Sequence, residues 1–169
     1  LVLLVRKVAI NNRFHSEDHN HTNGLQAKEG NMDISTLHKN ATAYKNAGDL
    51  ENAISLLYQA KLLANQNPIS CPIDSWLRLP LFLQQAGRFD DAMTEFNELI
   101  ESPPITRETN SPLEPLVLEM LTHADMCSIY DKMRLACDRE NRFKESEQYE
   151  KLSKKHDREW AKLNRKINR

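Results

Sequence analysis

The chain has 169 residues, enough for one ordinary domain. Its 40% apolar and 28% charged residues belong to a globular protein and exclude a collagen-like or generally disordered one. A net charge of −1 gives the whole chain no electrostatic footprint for nucleic acid or a membrane surface, and only 4 glycines argue against a turn-rich β fold.

Residues 1–10 are apolar apart from Arg6 and Lys7. The first apolar run stops at Val5, far short of the ~20 residues that span a bilayer. No basic start or small-residue cleavage site marks a signal peptide. Because the chain begins without Met, this segment is expected to be an addition ahead of the native start, with a docked strand or helix turn as the alternative. No membrane association is expected, and the cytoplasm is the expected location. Residues 11–33 are polar and aperiodic, so residues 1–33 read as a disordered or loosely attached arm. Within them His15, His19 and His21, beside Glu17 and Asp18, have the spacing of a loose Zn or Ni site. They lack a core or outer partners to orient them, so no metal is expected. Asn20 and Asn40 begin glycosylation sequons that read as chance matches without a secretory signal.

Asp33 or Ser35 can cap a helix that presents Leu37, Ala41 and Tyr44 on one face. Gly48 ends it in a left-handed cap, and Asp49 can cap the next helix. Leu50, Ala53, Ile54, Leu57, Ala60 and Leu63 continue the three-to-four spacing. Two amphipathic helices joined so tightly pack antiparallel. Beyond Pro68 and Pro72, Trp76, Leu79, Phe82 and Leu83 form another apolar face that ends at Gly87. Phe89, Ala92, Met93, Phe96 and Leu99 follow at helical spacing. Residues 102–112 are too proline-rich for a helix and read as an exposed loop. A long helical pattern over about 116–140 breaks near Asn141. The last helix carries the stripe Tyr149, Leu152, His156, Trp160, Leu163 and Ile167. The expected hairpins span about 34–65, 73–101 and 114–167, within one helical domain over residues 34–169.

The first two hairpins align: Gly48 meets Gly87, Leu50 meets Phe89, Ala53 meets Ala92, Leu57 meets Phe96 and Ala60 meets Leu99. Leu37, Ala41, Tyr44, Gly48, Asp49, Ala53, Leu57 and Ala60 resemble the tetratricopeptide repeat (TPR). Trp76, Gly87, Phe89, Ala92 and Phe96 carry the likeness in a second copy, and Tyr130, Met133, Cys137, Asn141 and Tyr149 in a fainter third. The resemblance implies an all-α fold of antiparallel hairpins stacked as a short right-handed superhelix, completed by the long C-terminal helices. Small Ala41, Ala53 and Ala60 then let helix axes approach, while Tyr44 and Phe96 fill the space between hairpins. Two departures stand out. Gly48 and Gly87 lie 39 residues apart, against about 34 in the family. Pro80 occupies a helical position where the family has a small residue, so it either kinks that helix or marks its restart.

The resemblance also implies a concave groove lined by the first helix of each hairpin. Its positions here are Ser35, His38, Lys39, Thr42, Lys45 and Asn46, then Asp74, Leu77, Arg78, Leu81, Gln84 and Gln85. Such long, mixed polar side chains suit an extended peptide or a partner helix. The Lys/Asn clamp that some family members use on chaperone C-terminal carboxylates is not reproduced, because His38 and Thr42 stand in its place.

No nucleophile sits in a recognised catalytic setting, and four glycines leave little scope for a phosphate loop. No catalytic, cofactor or metal residues are therefore expected. His38 and His123 become bases only if the fold supplies partners. Cys71, Cys127 and Cys137 match no metal or redox spacing and read as free thiols. Residues 150–169 carry eight Lys/Arg and three acids, a bias that suits RNA, DNA or an acidic partner. The expected function is thus a non-enzymatic adaptor or scaffold that binds a protein or peptide partner. A nucleic-acid-associated regulator using the basic last helix is the alternative, and an exposed end of the stack would allow a homodimer.

Overall fold

The computed structural model describes residues 33–66, 71–104 and 113–168, and every regular element among them is a helix. The arm with its histidine cluster, part of the linker around Pro68 and most of the 102–112 loop lie outside those residues. Helices α1 (Ile34–Asn46) and α2 (Leu50–Gln66) form one antiparallel pair. A short turn, α3 (Ile73–Trp76), leads into α4 (Arg78–Gln85) and α5 (Phe89–Glu101). The long helices α6 (Pro115–Arg139) and α7 (Phe143–Ile167) complete the chain.

The three hairpin turns share one backbone solution. Gly48, Gly87 and Asn141 take left-handed φ values of 82°, 76° and 58°. At each, the amide of that residue donates three positions back, from Gly48 to Lys45, Gly87 to Gln84 and Asn141 to Asp138. The next amide donates five back, from Asp49 to Tyr44, Arg88 to Leu83 and Arg142 to Cys137, at 2.9 Å in all three. This double bond satisfies carbonyls that a helix end leaves orphaned. Asparagine tolerates the left-handed region better than other non-glycine residues, which explains its place in the third turn. At the other ends, Asp33 accepts from the Thr36 amide at 2.7 Å and Asp49 from the Asn52 amide at 3.1 Å.

Pro80 restarts its helix. The backbone breaks at Leu77, between α3 and α4, and Pro80 becomes the third residue of α4. Amides of a first helical turn have no intrahelical acceptor, so the missing donor costs little there. The first helical bond of α4 runs from the Leu81 amide to the Leu77 carbonyl at 3.3 Å.

Two cores lie on either side of the α4/α5 pair. Ala41, Ala53, Ile54 and Leu57 of the first pair meet Leu79, Phe82, Leu83 and Ala92. Leu77, Phe89, Phe96 and Leu99 meet Ile129, Tyr130, Met133, Ala136 and Cys137 of α6. Phe96 is fully buried as expected, but Tyr44 is 43% exposed and fills no space between hairpins. Burial also pushes the Cys137 thiol up to about 11, which keeps it an inert neutral group.

Truncating Phe96→Ala is expected to cost about 3–5 kcal/mol through the cavity it leaves in the second core. Gly87→Ala meets no steric obstacle, since nothing lies within 4 Å of an added Cβ. Its expected cost, about 1–2 kcal/mol, comes from the left-handed backbone alone. Urea midpoints at unchanged slope check both values.

Candidate functional site

His38, Thr42 and Lys45 follow one another at steps of four and three and therefore share a face of α1. The break at Leu77 places Arg78 as the first residue of α4, opposite that face. Its guanidinium donates to the His38 carbonyl at 3.0 Å, to the Thr42 hydroxyl, and to His38 Nδ1 at 3.4 Å. The Thr42 hydroxyl in turn donates to the His38 carbonyl at 3.0 Å. A guanidinium has donors only, so Nδ1 of His38 carries the lone pair and the ring is neutral. Burial, and then the Arg78 charge, push the His38 pKa down to about 4. Beneath these groups lies the Phe82 ring, with Lys45 Nζ 4.9 Å and the Arg78 guanidinium 5.6 Å from its centre. Among the described residues, no carboxylate reaches Arg78, and burial alone lowers its pKa. The result is a half-buried cation held in place by neutral acceptors.

Other expected groove positions fall out differently. Ser35, Lys39, Asn46, Asp74 and Gln85 are exposed. Leu77 is 1% exposed and lies in the core with Phe89 and Ile129, because the helix break turns it inward. It lines no groove. Gln84, 7% exposed, is also no groove residue. Its amide donates to Glu140 and accepts from Arg139, both at 3.0 Å, so it ties α4 to the end of α6. Leu81 is half-buried against the second core.

Behind His38 a cleft opens between the first two hairpins, walled by Leu57, Ala60, Trp76, Leu79 and Leu99. Lys61 stands in its wall, 2.6 Å from Glu95 and in contact with Glu98. Burial presses the Lys61 ammonium pKa down, but hydrogen bonds to the two carboxylates more than reverse this and hold it above its usual value. Two acids therefore share one cation. The sequence reading missed Lys61, Glu95 and Phe82 as groups of interest. One signal was present: Glu95 interrupts the apolar run Ala92, Phe96, Leu99 on a single helical face.

A second cluster joins α6 to α7. His123 and His156 meet Nδ1 to Nδ1 at 2.8 Å, so one ring donates its proton to the lone pair of the other. Tyr130 and Tyr149 stack alongside, and Ser153 donates to the Cys127 carbonyl at 3.2 Å. Burial, His123 and Lys155 together lower the His156 pKa. Among the described residues no group of three or more metal-ligating side chains converges.

The basic bias of the last helix is partly spent within it. Lys151 pairs with Glu147, Lys154 with Glu150 and Lys162 with Glu159, each one helical turn apart. Among the described residues no helix is long and apolar enough to cross a membrane. No family model, curated protein or solved structure matches this chain.

His38 and His156 are held neutral by burial in the fold and are free to take a proton once unfolded. Stability from His38 is therefore complete above about pH 6.5 and is lost as pH falls toward about 4. His156 adds to the same slope, since its pKa is also lowered. Thermal midpoints measured across this range are expected to fall with acidification, and His38→Asn or His156→Gln each to flatten part of the fall. A flat wild-type profile would contradict the burial of both rings.

Proposed function

We propose that this chain is a non-enzymatic protein-interaction module, a short TPR-like stack whose α1/α4 face binds an extended peptide or helix of a partner protein. Two features support the stacked reading. The same left-handed turn ends the first helix of each pair at Gly48, Gly87 and Asn141. The residue after two of these turns reaches the preceding pair: Arg88 lies 3.7 Å from Glu51, and Arg142 sits 4.2 Å above the Phe89 ring. Successive pairs related by one repeated step would make such contacts recur.

One observation carries the binding reading. Arg78 is half-buried, oriented by His38 and Thr42, placed with Lys45 over Phe82, and has no carboxylate partner among the described residues. A cation so desolvated and preorganised gains from an incoming acid, because a charge-assisted bond is made without ordering a flexible side chain. The partner segment accordingly presents an Asp or Glu to Arg78.

A library of short displayed peptides selected on the full chain tests this. Enriched sequences are expected to share an acidic residue. Arg78→Gln is expected to weaken the enriched peptide about tenfold or more. Lys45→Gln, which removes a charge and its cation–π contact with Phe82, gives a smaller loss and costs no more than about 0.5–1 kcal/mol of stability. No enrichment, or binding indifferent to both substitutions, overturns the proposal.

A further inference from the structure

The cleft beside His38 has a chemistry opposite to that of the groove. Leu57, Ala60, Trp76, Leu79 and Leu99 give it apolar walls, drawn from both hairpins. Its charged side is Lys61 between Glu95 and Glu98. The Glu95 side chain is almost buried, while that of Glu98 is half exposed. Lys61 stays cationic, so the trio carries one surplus negative charge, and Glu98 brings it to solvent. His38, the group common to cleft and groove, is neutral and does not repel an approaching cation.

An apolar cleft edged by surplus negative charge has a definite complement. The geometry points to a second subsite for the partner segment: an aliphatic side chain enters the cleft, and a Lys or Arg close to it on the same segment pairs with Glu98. This rests on the interaction-module reading and extends it. The cationic subsite at Arg78 and Lys45 adjoins His38 outside the cleft lining, whereas the anionic one at Glu98 belongs to that lining together with His38. A segment with an acid toward one end and an aliphatic–basic pair toward the other binds in a single direction. The reversed segment sets its base against Arg78 and its acid against Glu98, two like-charge contacts. Burying one aliphatic side chain supplies affinity, and the charges supply direction.

Charge reversal on both sides tests the assignment. From the same selection on the full chain, enriched peptides are expected to carry an aliphatic residue with Lys or Arg within one helical turn of it. Glu98→Lys, at an exposed carboxylate, is expected to weaken that peptide about tenfold, and changing the peptide's basic residue to Glu to restore binding to Glu98→Lys. Ser75→Leu places an isobutyl group at the cleft wall and is expected to weaken the original peptide as well. Melting midpoints of both variants confirm that they fold. Peptides without a basic preference, or affinity unmoved by Glu98→Lys, overturn the subsite. If Arg78→Gln still weakens those peptides, the groove survives and only the cleft assignment falls. If no peptide is enriched, both fall.

Discussion

The α4/α5 pair is apolar on two sides, and neither side can be left in water. Leu79, Phe82, Leu83 and Ala92 turn toward α1 and α2, while Leu77, Phe89, Phe96 and Leu99 turn toward α6. A fully buried side chain of this size contributes about 1.5–3 kcal/mol, so each interface outweighs any single polar contact across it. Helix propensity has little part in this. A helix of eight residues containing a proline, as α4 is, does not persist alone in water. Its place and direction are set by what it buries. The distances between Arg78 and His38, and between Lys61 and Glu95, follow from the first of these interfaces.

That interface also separates the charges. Arg78 leaves α4 at its first residue and reaches α1, where its acceptors are a carbonyl, a hydroxyl and an imidazole. Glu95 leaves α5 and reaches Lys61 of α2. Both contacts tie the same two hairpins together, yet they differ in charge balance. The first leaves a positive charge uncompensated by any described residue, and the second leaves a negative one. A packed interface alone would be served equally well by apolar side chains, since burying charge is costly even when paired. Residual charge of both signs near a neutral histidine is what the proposed binding of an oriented segment would use.

Much of the helical plan was legible in the residues. Gly48, Gly87 and Asn141 stand where the apolar spacing breaks, and a left-handed backbone favours those residue types. Asp33 and Asp49 announced their caps for a similarly local reason. The site was legible only in part. His38, Thr42, Lys45 and Arg78 were placed in a groove by repeat position, and the fold brings these four together. Leu77 and Gln84 occupied equivalent positions and are buried, because the restart at Pro80 changes the helical phase that position-counting assumed. Partners in three dimensions were not readable at all. Nothing local links His123 to His156 or Lys61 to Glu95, whose separations in sequence are 33 and 34 residues.

The turn residues carry one more regularity. Arg88 and Arg142 each follow a left-handed residue, and each lays its guanidinium on the start of the preceding pair's second helix, against Glu51 or over Phe89. In the first turn the same position is Asp49, which caps its own helix. The receiving position varies in step. Phe89, covered by Arg142, is buried, whereas Phe143, one pair later with no described turn above it, is 65% exposed. Phe89 and Phe143 have the same residue type and the same place after a turn, so the difference in exposure comes from the neighbour alone. Phe89 is buried by the following pair as a whole, in the core it shares with α6 and beneath Arg142. Successive pairs are thus joined at their edges by a cation–π or ion-pair contact worth roughly 0.5–1 kcal/mol. That is small beside the cores, which provide the stability, while the arginines help keep the turns in line.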